Sequence, residues 1–278
     1  MVLPAFVAYS FVTLVPSGQG AIVAFSDWNG ISASYDLIGL DNFRRLLSDP
    51  RALGAFGNTL ALAAVVMILQ NVIGLGLALA LNSAVRSRNL LRVIFFAPVV
   101  LTPLVSGYIW SYMLSPQGGL NSTLRSVGLE ALAMDWLGDP RYALGAVCVA
   151  IIWQFSGYSM VIFLAGLQAI PVELTEAAAI DGAGPWRRFV SITLPLLNGA
   201  IVINLLLTLI GGLGQFDQVI AMTNGGPGTS TETISTTIYK IGFQLGDYSY
   251  GTALALAMTV VVAVLAFIQF RLTSRQVR

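Results

Sequence analysis

The sequence contains no histidine in 278 residues. That removes Ser-His-Asp triads, H-E-x-x-H zinc sites and histidine general bases. Cysteine occurs once, at Cys148 inside an apolar run, so no disulfide can form within the chain and a small buried thiol is expected. Lysine also occurs once, at Lys240. There is no G-x-x-x-x-G-K-[ST] stretch, so the chain does not cradle nucleotide phosphates itself. Charge is scarce: 10% of residues are charged, against about a quarter in a soluble domain. A net charge of +1 gives no electrostatic case for a nucleic-acid partner.

What the sequence does hold is hydrocarbon. It is 56% apolar with a mean hydropathy of +0.80. Such a chain could not cover its surface in water, so lipid is the expected solvent. One crossing helix needs roughly 20 apolar residues. Six runs approach or reach that length, at about 2–25, 57–81, 91–113, 143–167, 197–221 and 252–270. Each is too apolar on all faces for a surface helix. The expected fold is an all-α membrane protein of six transmembrane helices, with 1–278 as one domain. The first run has no basic residue before it and no clear A-x-A site before Ser26, so it reads as an uncleaved first span.

Charge distribution gives an orientation. The segments 82–92, 168–196 and 271–278 carry Arg86, Arg88, Arg92, Arg187, Arg188, Arg271, Arg275 and Arg278, with Glu173, Glu176 and Asp181 as their acids. The opposite loops hold six basic residues and ten acids. The positive-inside rule counts Lys and Arg, and eight against six puts the first set of segments and both termini in the cytoplasm. Four outer features read as ordered: the turn Ser26–Gly30, a short amphipathic helix at Asp41–Arg45, and breaks at Pro116–Gly119 and Asn224–Gly228.

The loop 171–195 is too patterned for a simple connector. Helix formers run from Glu173 to Ile180. Gly182 and Gly184 stop that helix, and Pro185 suits the first position of a second, Trp186–Ile192. A helix–turn–helix on the cytoplasmic face results. Physics alone leaves two readings equally open: a loop packed on its own bundle, or a docking element for a partner.

Here the residues resemble a known family. Glu176-Ala177-Ala178, then Gly182, then Ile192-Thr193-Leu194-Pro195 matches the E-A-A-x3-G-x9-I-x-L-P signature of binding-protein-dependent ABC importer permeases at every fixed position. Trp28-Asn29-Gly30, Gly39-Leu40-Asp41-Asn42-Phe43, Gln168-Ala169-Ile170-Pro171 and Thr223-Asn224-Gly225-Gly226-Pro227 resemble the carbohydrate-uptake branch, and within it the first-subunit maltose- and glycerol-phosphate-type permeases. The resemblance implies import of a sugar, an oligosaccharide or related polyol, by alternating access. It implies a loop that couples to an ATPase, with Glu176, Ala177, Ala178, Asp181, Gly182, Arg187 and Arg188 as coupling residues. It implies a second permease subunit in a heterodimer, two copies of a nucleotide-binding ATPase that hold ATP and Mg, and an extracytoplasmic solute-binding protein. That protein would meet 26–56, 114–142 and 222–251. The location implied is the bacterial cytoplasmic (inner) membrane. No catalytic residue, metal or cofactor is expected in this chain.

A pathway for a hydroxyl-rich solute needs hydrogen-bonding groups and aromatic faces at membrane depth, turned into the bundle. The fourth span offers Trp153, Ser156, Gly157 and Met160 on one helical face; the fifth offers Thr208, Gly212 and Gln215. Helix packing uses the same small and hydroxylated residues and stands as the alternative. Asp217 is expected to cap the outer end or pair with a loop, Asn204 to bond across helices, and Tyr108 and Trp110 to anchor at the interface. Asn58 and Asn71 are left unassigned. A secondary transporter would need ionisable residues at mid-membrane, for which Asp217 is a poor sole candidate. An intramembrane enzyme lacks an obvious constellation. A subunit without a pathway of its own stays open.

Overall fold

The computed structural model describes residues 2–83 and 87–274. Arg86, Arg275 and Arg278, which enter the orientation argument, lie outside the described residues, as does Met1. Helix α1 covers Pro4–Val23 and passes through a π-helical turn at Ser10–Leu14. It is exposed along its length and packs on the last helix. The expected short amphipathic helix is present as α2, Asp41–Ser48. Asn42 is buried and donates to the carbonyls of Ala24 and Ser26, both at 3.0 Å, which fastens α2 to the end of α1.

Helix α3 runs over Pro50–Asn82, starting seven residues before the apolar run that announced it. The cause is local: the Asp49 carboxylate accepts from the Arg51 amide at 2.9 Å, and Pro50 sits where its missing N–H costs nothing. The third span, read from hydropathy as unbroken over 91–113, is two helices. These are α4, Arg88–Val100, and α5, Pro103–Met113, bent by 98°. Thr102 precedes a proline and is forced out of the helical region, to ψ 143°. Helix α6 covers Gly119–Ser126 beyond the expected break, and α7 covers Ala143–Gln168, as read from the sequence.

The loop 171–195 forms α8, Val172–Ile180, and α9, Pro185–Leu196, which bends by 68° into α10, Asn198–Leu213. Pro195 interrupts the hydrogen-bond ladder at that bend. The fifth span was expected to reach 221, but it stops at Leu213. A break at 214–216 follows, and the chain resumes as α11, Asp217–Met222. Helix α12, Ile234–Tyr239, and α13, Tyr248–Ser274, complete the set. Among the described residues the only strand-like pairing is a single bridge between Ser26 and Leu37. Four unbroken helices, α1, α3, α7 and α13, are long and apolar enough to cross a membrane, and the two bent pairs bring the total to six if each counts as one crossing.

Helix α7 is the hub. It packs along α3, and α10 packs on both of them. A Cβ on Gly74 of α3 would lie 2.6 Å from the Ser159 Cβ of α7, so the glycine sets how close these helices come. Buried polar side chains are paired across the helices. Gln70 Nε2 donates to Ser159 Oγ at 2.8 Å, Ser159 Oγ to Asn204 Oδ1 at 3.2 Å, and Asn71 Nδ2 to Thr208 Oγ1 at 2.9 Å. Asn204 thus bonds across helices as expected. Cys148 is buried at 4% exposure in the apolar core.

Candidate functional site

Three places carry the residues singled out in the sequence. The first is a cavity of about 320 Å³ between α3, α7 and α10. Thr208, Gly212 and Gln215 line it, as their shared face predicts. Gln215 stands in the break between α10 and α11, and its carbonyl accepts from Thr233 Oγ1 at 2.9 Å. Gln70, Phe155 and Tyr158 also line this cavity, and sequence reasoning missed them. Their signal was present: Phe155 and Tyr158 stand three apart on α7, on one face, with an amide at Gln70 of the neighbouring helix. The described lining has hydroxyls, amides and two aromatic rings, and no carboxylate or cation.

The face of α7 expected to share that lining does not reach it. Trp153, Ser156 and Gly157 line a second cavity of about 550 Å³, between α3, α4 and α7. Trp153 meets Trp110 edge to face at 5.6 Å. The Ser156 hydroxyl donates to Ile152 O at 2.5 Å within its own helix. A Cβ on Gly157 would fall on the Phe95 carbonyl, so this glycine admits the α4 backbone. Met160 is fully buried in the apolar cluster with Ala78, Leu81 and Phe163. The cause is helical geometry: residues 153, 156 and 157 point away from 151, 155 and 158. Asp217 is exposed in the first turn of α11, where its charge favours the helix dipole.

The second place is the helix–turn–helix of α8 and α9. Gly182 ends α8 at φ 80°, a left-handed conformation that suits glycine, and Pro185 opens α9. Glu176, Ala177, Asp181, Gly182 and Arg187 are exposed, while Ala178 and Arg188 are half-buried. Ala178, Asp181, Arg187 and Arg188 border a shallow pocket of about 230 Å³ between the two arms. Among the described residues, no charged side chain of this loop is in an ion pair. Ile180 and Trp186 stand 87% and 76% exposed beside them.

The third place is a charge cluster at the start of α3 that sequence reasoning did not find. Glu232 is buried and takes a two-pronged pair from Arg51, Nε at 2.8 Å and Nη2 at 2.7 Å, and a third bond from Lys240 Nζ at 2.7 Å. Burial pushes the Glu232 carboxyl up, but the hydrogen bonds from Arg51 and Lys240 outweigh it and hold the group below the usual carboxylate range. Asn58, left unassigned from sequence, donates to the carbonyls of Thr229 and Glu232 at 3.2 and 3.0 Å. The segment 223–240 is thereby pinned to the start of α3.

Residues 70–278 match the family described as binding-protein-dependent transport system inner membrane component. The multiple sugar-binding transport system permease protein MsmF of Streptococcus mutans is 33% identical over 94% of this chain and 89% of its own. The diacetylchitobiose uptake system permease protein NgcF of Streptomyces coelicolor is 36% identical over 94% of this chain and 78% of its own. Among solved structures, a bacterial ABC transporter involved in import of the acidic polysaccharide alginate superposes with a TM-score of 0.86. It is 26% identical over 99% of this chain and 94% of the matched chain.

Proposed function

The chain belongs to the family of binding-protein-dependent transport system inner membrane components, and from that premise we infer how it works. It is a multi-pass membrane protein and the permease subunit of a sugar importer of the ATP-binding-cassette type. The observation that carries this reading is the family match along 70–278, which takes in the helix–turn–helix and the lining of both cavities except Val66 and Leu69.

The finer features of the importer are our proposal. The loop α8–α9 docks on a separate ATPase subunit, one of two that bind ATP and Mg. An exposed Ile180 and Trp186 beside unpaired Glu176, Asp181 and Arg187 are poorly suited to open water and well suited to a partner cleft. A second, non-identical permease completes the pathway, and a solute-binding protein delivers sugar at the outer loops. The termini and the coupling loop face the cytoplasm. The cavity at Thr208, Gly212 and Gln215 is this chain's share of the pathway. Its amides and hydroxyls can exchange hydrogen bonds with sugar hydroxyls, and Phe155 and Tyr158 offer ring faces. Trp153, Ser156, Gly157 and Met160 serve helix packing. The chain supplies pathway and coupling, while ATP hydrolysis happens elsewhere.

The test is purification of the assembled importer through a tag on this chain. Wild type is expected to bring down an ATPase subunit, and Glu176→Lys to lose most of it together with ATP-driven uptake. Full retention of both in the variant would sink the docking assignment.

A further inference from the structure

The chain leaves helical geometry at Leu101–Thr102, between α4 and α5, and at 214–216, between α10 and α11, and one side chain of a third helix reaches both breaks. Gln154 lies near the middle of α7. Its Nε2 donates to the Leu101 carbonyl at 2.8 Å, inside the first break. Its Oε1 accepts from Gln218 Nε2 at 2.9 Å, in the first turn of α11 just past the second break. Both amides are buried, at 0% and 1% exposure.

The position gives these bonds their weight. The Leu101 carbonyl lies outside the α5 ladder, whose first bond runs from the Ser106 amide to Thr102 O. Pro103 has no N–H to offer. At mid-membrane depth no water replaces a missing partner, so a break there persists only where protein groups satisfy it. The half-helices beyond the breaks pack directly on each other. A Cβ on Gly107 of α5 would lie 2.6 Å from the Ala221 Cβ and 3.2 Å from the Gln218 Cα of α11. So α5 and α11 form one pair with a hinge at the inner end of each member, and Gln154 fastens both hinges to α7. The hinges flank the pathway cavity, with Val99 just before one break and Gln215 inside the other.

We propose that Gln154 and Gln218 are positioning residues for transport. They form an amide latch that holds the α5–α11 pair against α7, and its release lets the pair tilt as a unit and reshape the cavity. Two buried groups on that pair lack a partner, Ser106 Oγ on α5 and Gln218 Oε1 on α11. They are spare hydrogen-bonding capacity for a second arrangement, which a purely static cap has no use for. The inference rests on the importer reading.

The experiment uses the assembled importer in proteoliposomes. Cys148→Ser provides the background, and spin labels at Tyr112→Cys on α5 and Val149→Cys on α7 report the distance between pair and hub. Distances are read without nucleotide and with ATP plus orthovanadate, alongside basal ATPase. In wild type the distance changes with nucleotide. Gln154→Leu and Gln218→Leu are expected to populate both distances without nucleotide and to raise basal ATPase at least threefold. The double variant should go no further than either single one, since both cut the same link. A merely structural role would lower the thermal midpoint and leave distances and ATPase unmoved, which overturns the latch. If Gln154→Leu does not assemble, Gln218→Leu decides alone, since it keeps the Leu101 bond. A wild-type complex with no nucleotide response would overturn the importer reading and the latch together.

Discussion

Glu232 shows how much one side chain can hold at the start of α3. Its carboxylate is 1% exposed and answers two cations, Arg51 from α3 and Lys240 from the end of α12. Glu232→Gln leaves both cations without their counter-charge. Breaking a fully buried pair costs about 3–5 kcal/mol. Here about 2 kcal/mol is expected, because Arg51 keeps a third of its side chain in water and solvent screens that part. The pH dependence has a definite sign. The folded carboxyl titrates below its unfolded value, so its stabilising effect is full above the unfolded value and is lost as pH falls through the folded one. The thermal midpoint of wild type should therefore exceed that of Glu232→Gln at neutral pH and converge with it in acid; a constant gap down to the loss of fold would contradict this. The cluster was not legible in the sequence. Arg51 and Glu232 are 181 positions apart, and no periodicity relates them. Gly157 was visible but ambiguous, since a small residue suits a ligand and a neighbouring backbone equally, and the Phe95 carbonyl decides for the backbone.

At the scale of elements, legibility followed how local the cause was. Helices α8 and α9 match their reading because Gly182, Gly184 and Pro185 act within a turn of where they stand. The break at Thr102 was missed although Pro103 was in plain view, because hydropathy averages over backbone geometry and the run stays apolar across the bend. The start of α3 was missed for the same reason: Asp49 and Pro50 begin a helix in polar sequence that hydropathy does not register. The turn between α8 and α9 offers a matched pair of substitutions. Gly182 has φ 80° and no atom within 4 Å of an added Cβ, so Gly182→Ala is charged only with backbone strain. That is about 1 kcal/mol, or about fivefold in an equilibrium. Gly184 has φ −66° and ψ 166° at the N-cap of α9, where serine is at home. ATPase recovered per permease should fall several-fold in Gly182→Ala and hold or rise in Gly184→Ser. Equal losses in the two variants would mean that the turn's conformation does not govern docking.

For the whole molecule the decisive arrangement is that α7 presents opposite faces to two different cavities. One face, with Phe155 and Tyr158, looks toward α10 and meets Gln70, Thr208 and Gln215. The other, with Trp153 and Gly157, looks toward α4 and meets Leu69, Ile73 and Phe95. Both cavities have room for at least one sugar ring by volume, at about 320 and 550 Å³, so size does not choose between them. Chemistry does. A sugar leaving water gives up hydrogen bonds at every hydroxyl, and only a lining that returns them keeps transfer affordable. The first cavity has the Gln215 side-chain amide and the Tyr158 hydroxyl to do so, while Thr208 Oγ1 already donates to Asn204 O at 2.9 Å and Gln70 Nε2 to Ser159 Oγ at 2.8 Å. In the second the Ser156 hydroxyl is already engaged by Ile152, which leaves mostly hydrocarbon. Gln215→Leu should therefore raise the KM for uptake of the sugar held by the partner solute-binding protein by about fivefold. This corresponds to one net hydrogen bond of about 1 kcal/mol. Trp153→Leu should leave KM within twofold while lowering thermal stability through the lost Trp110 contact. The two effects are separable by measuring initial uptake rates across sugar concentration in proteoliposomes with equal amounts of assembled complex. Should Trp153→Leu shift KM while Gln215→Leu is silent, the pathway belongs between α3, α4 and α7, and the hydroxyl-bearing cavity is a packing space between helices.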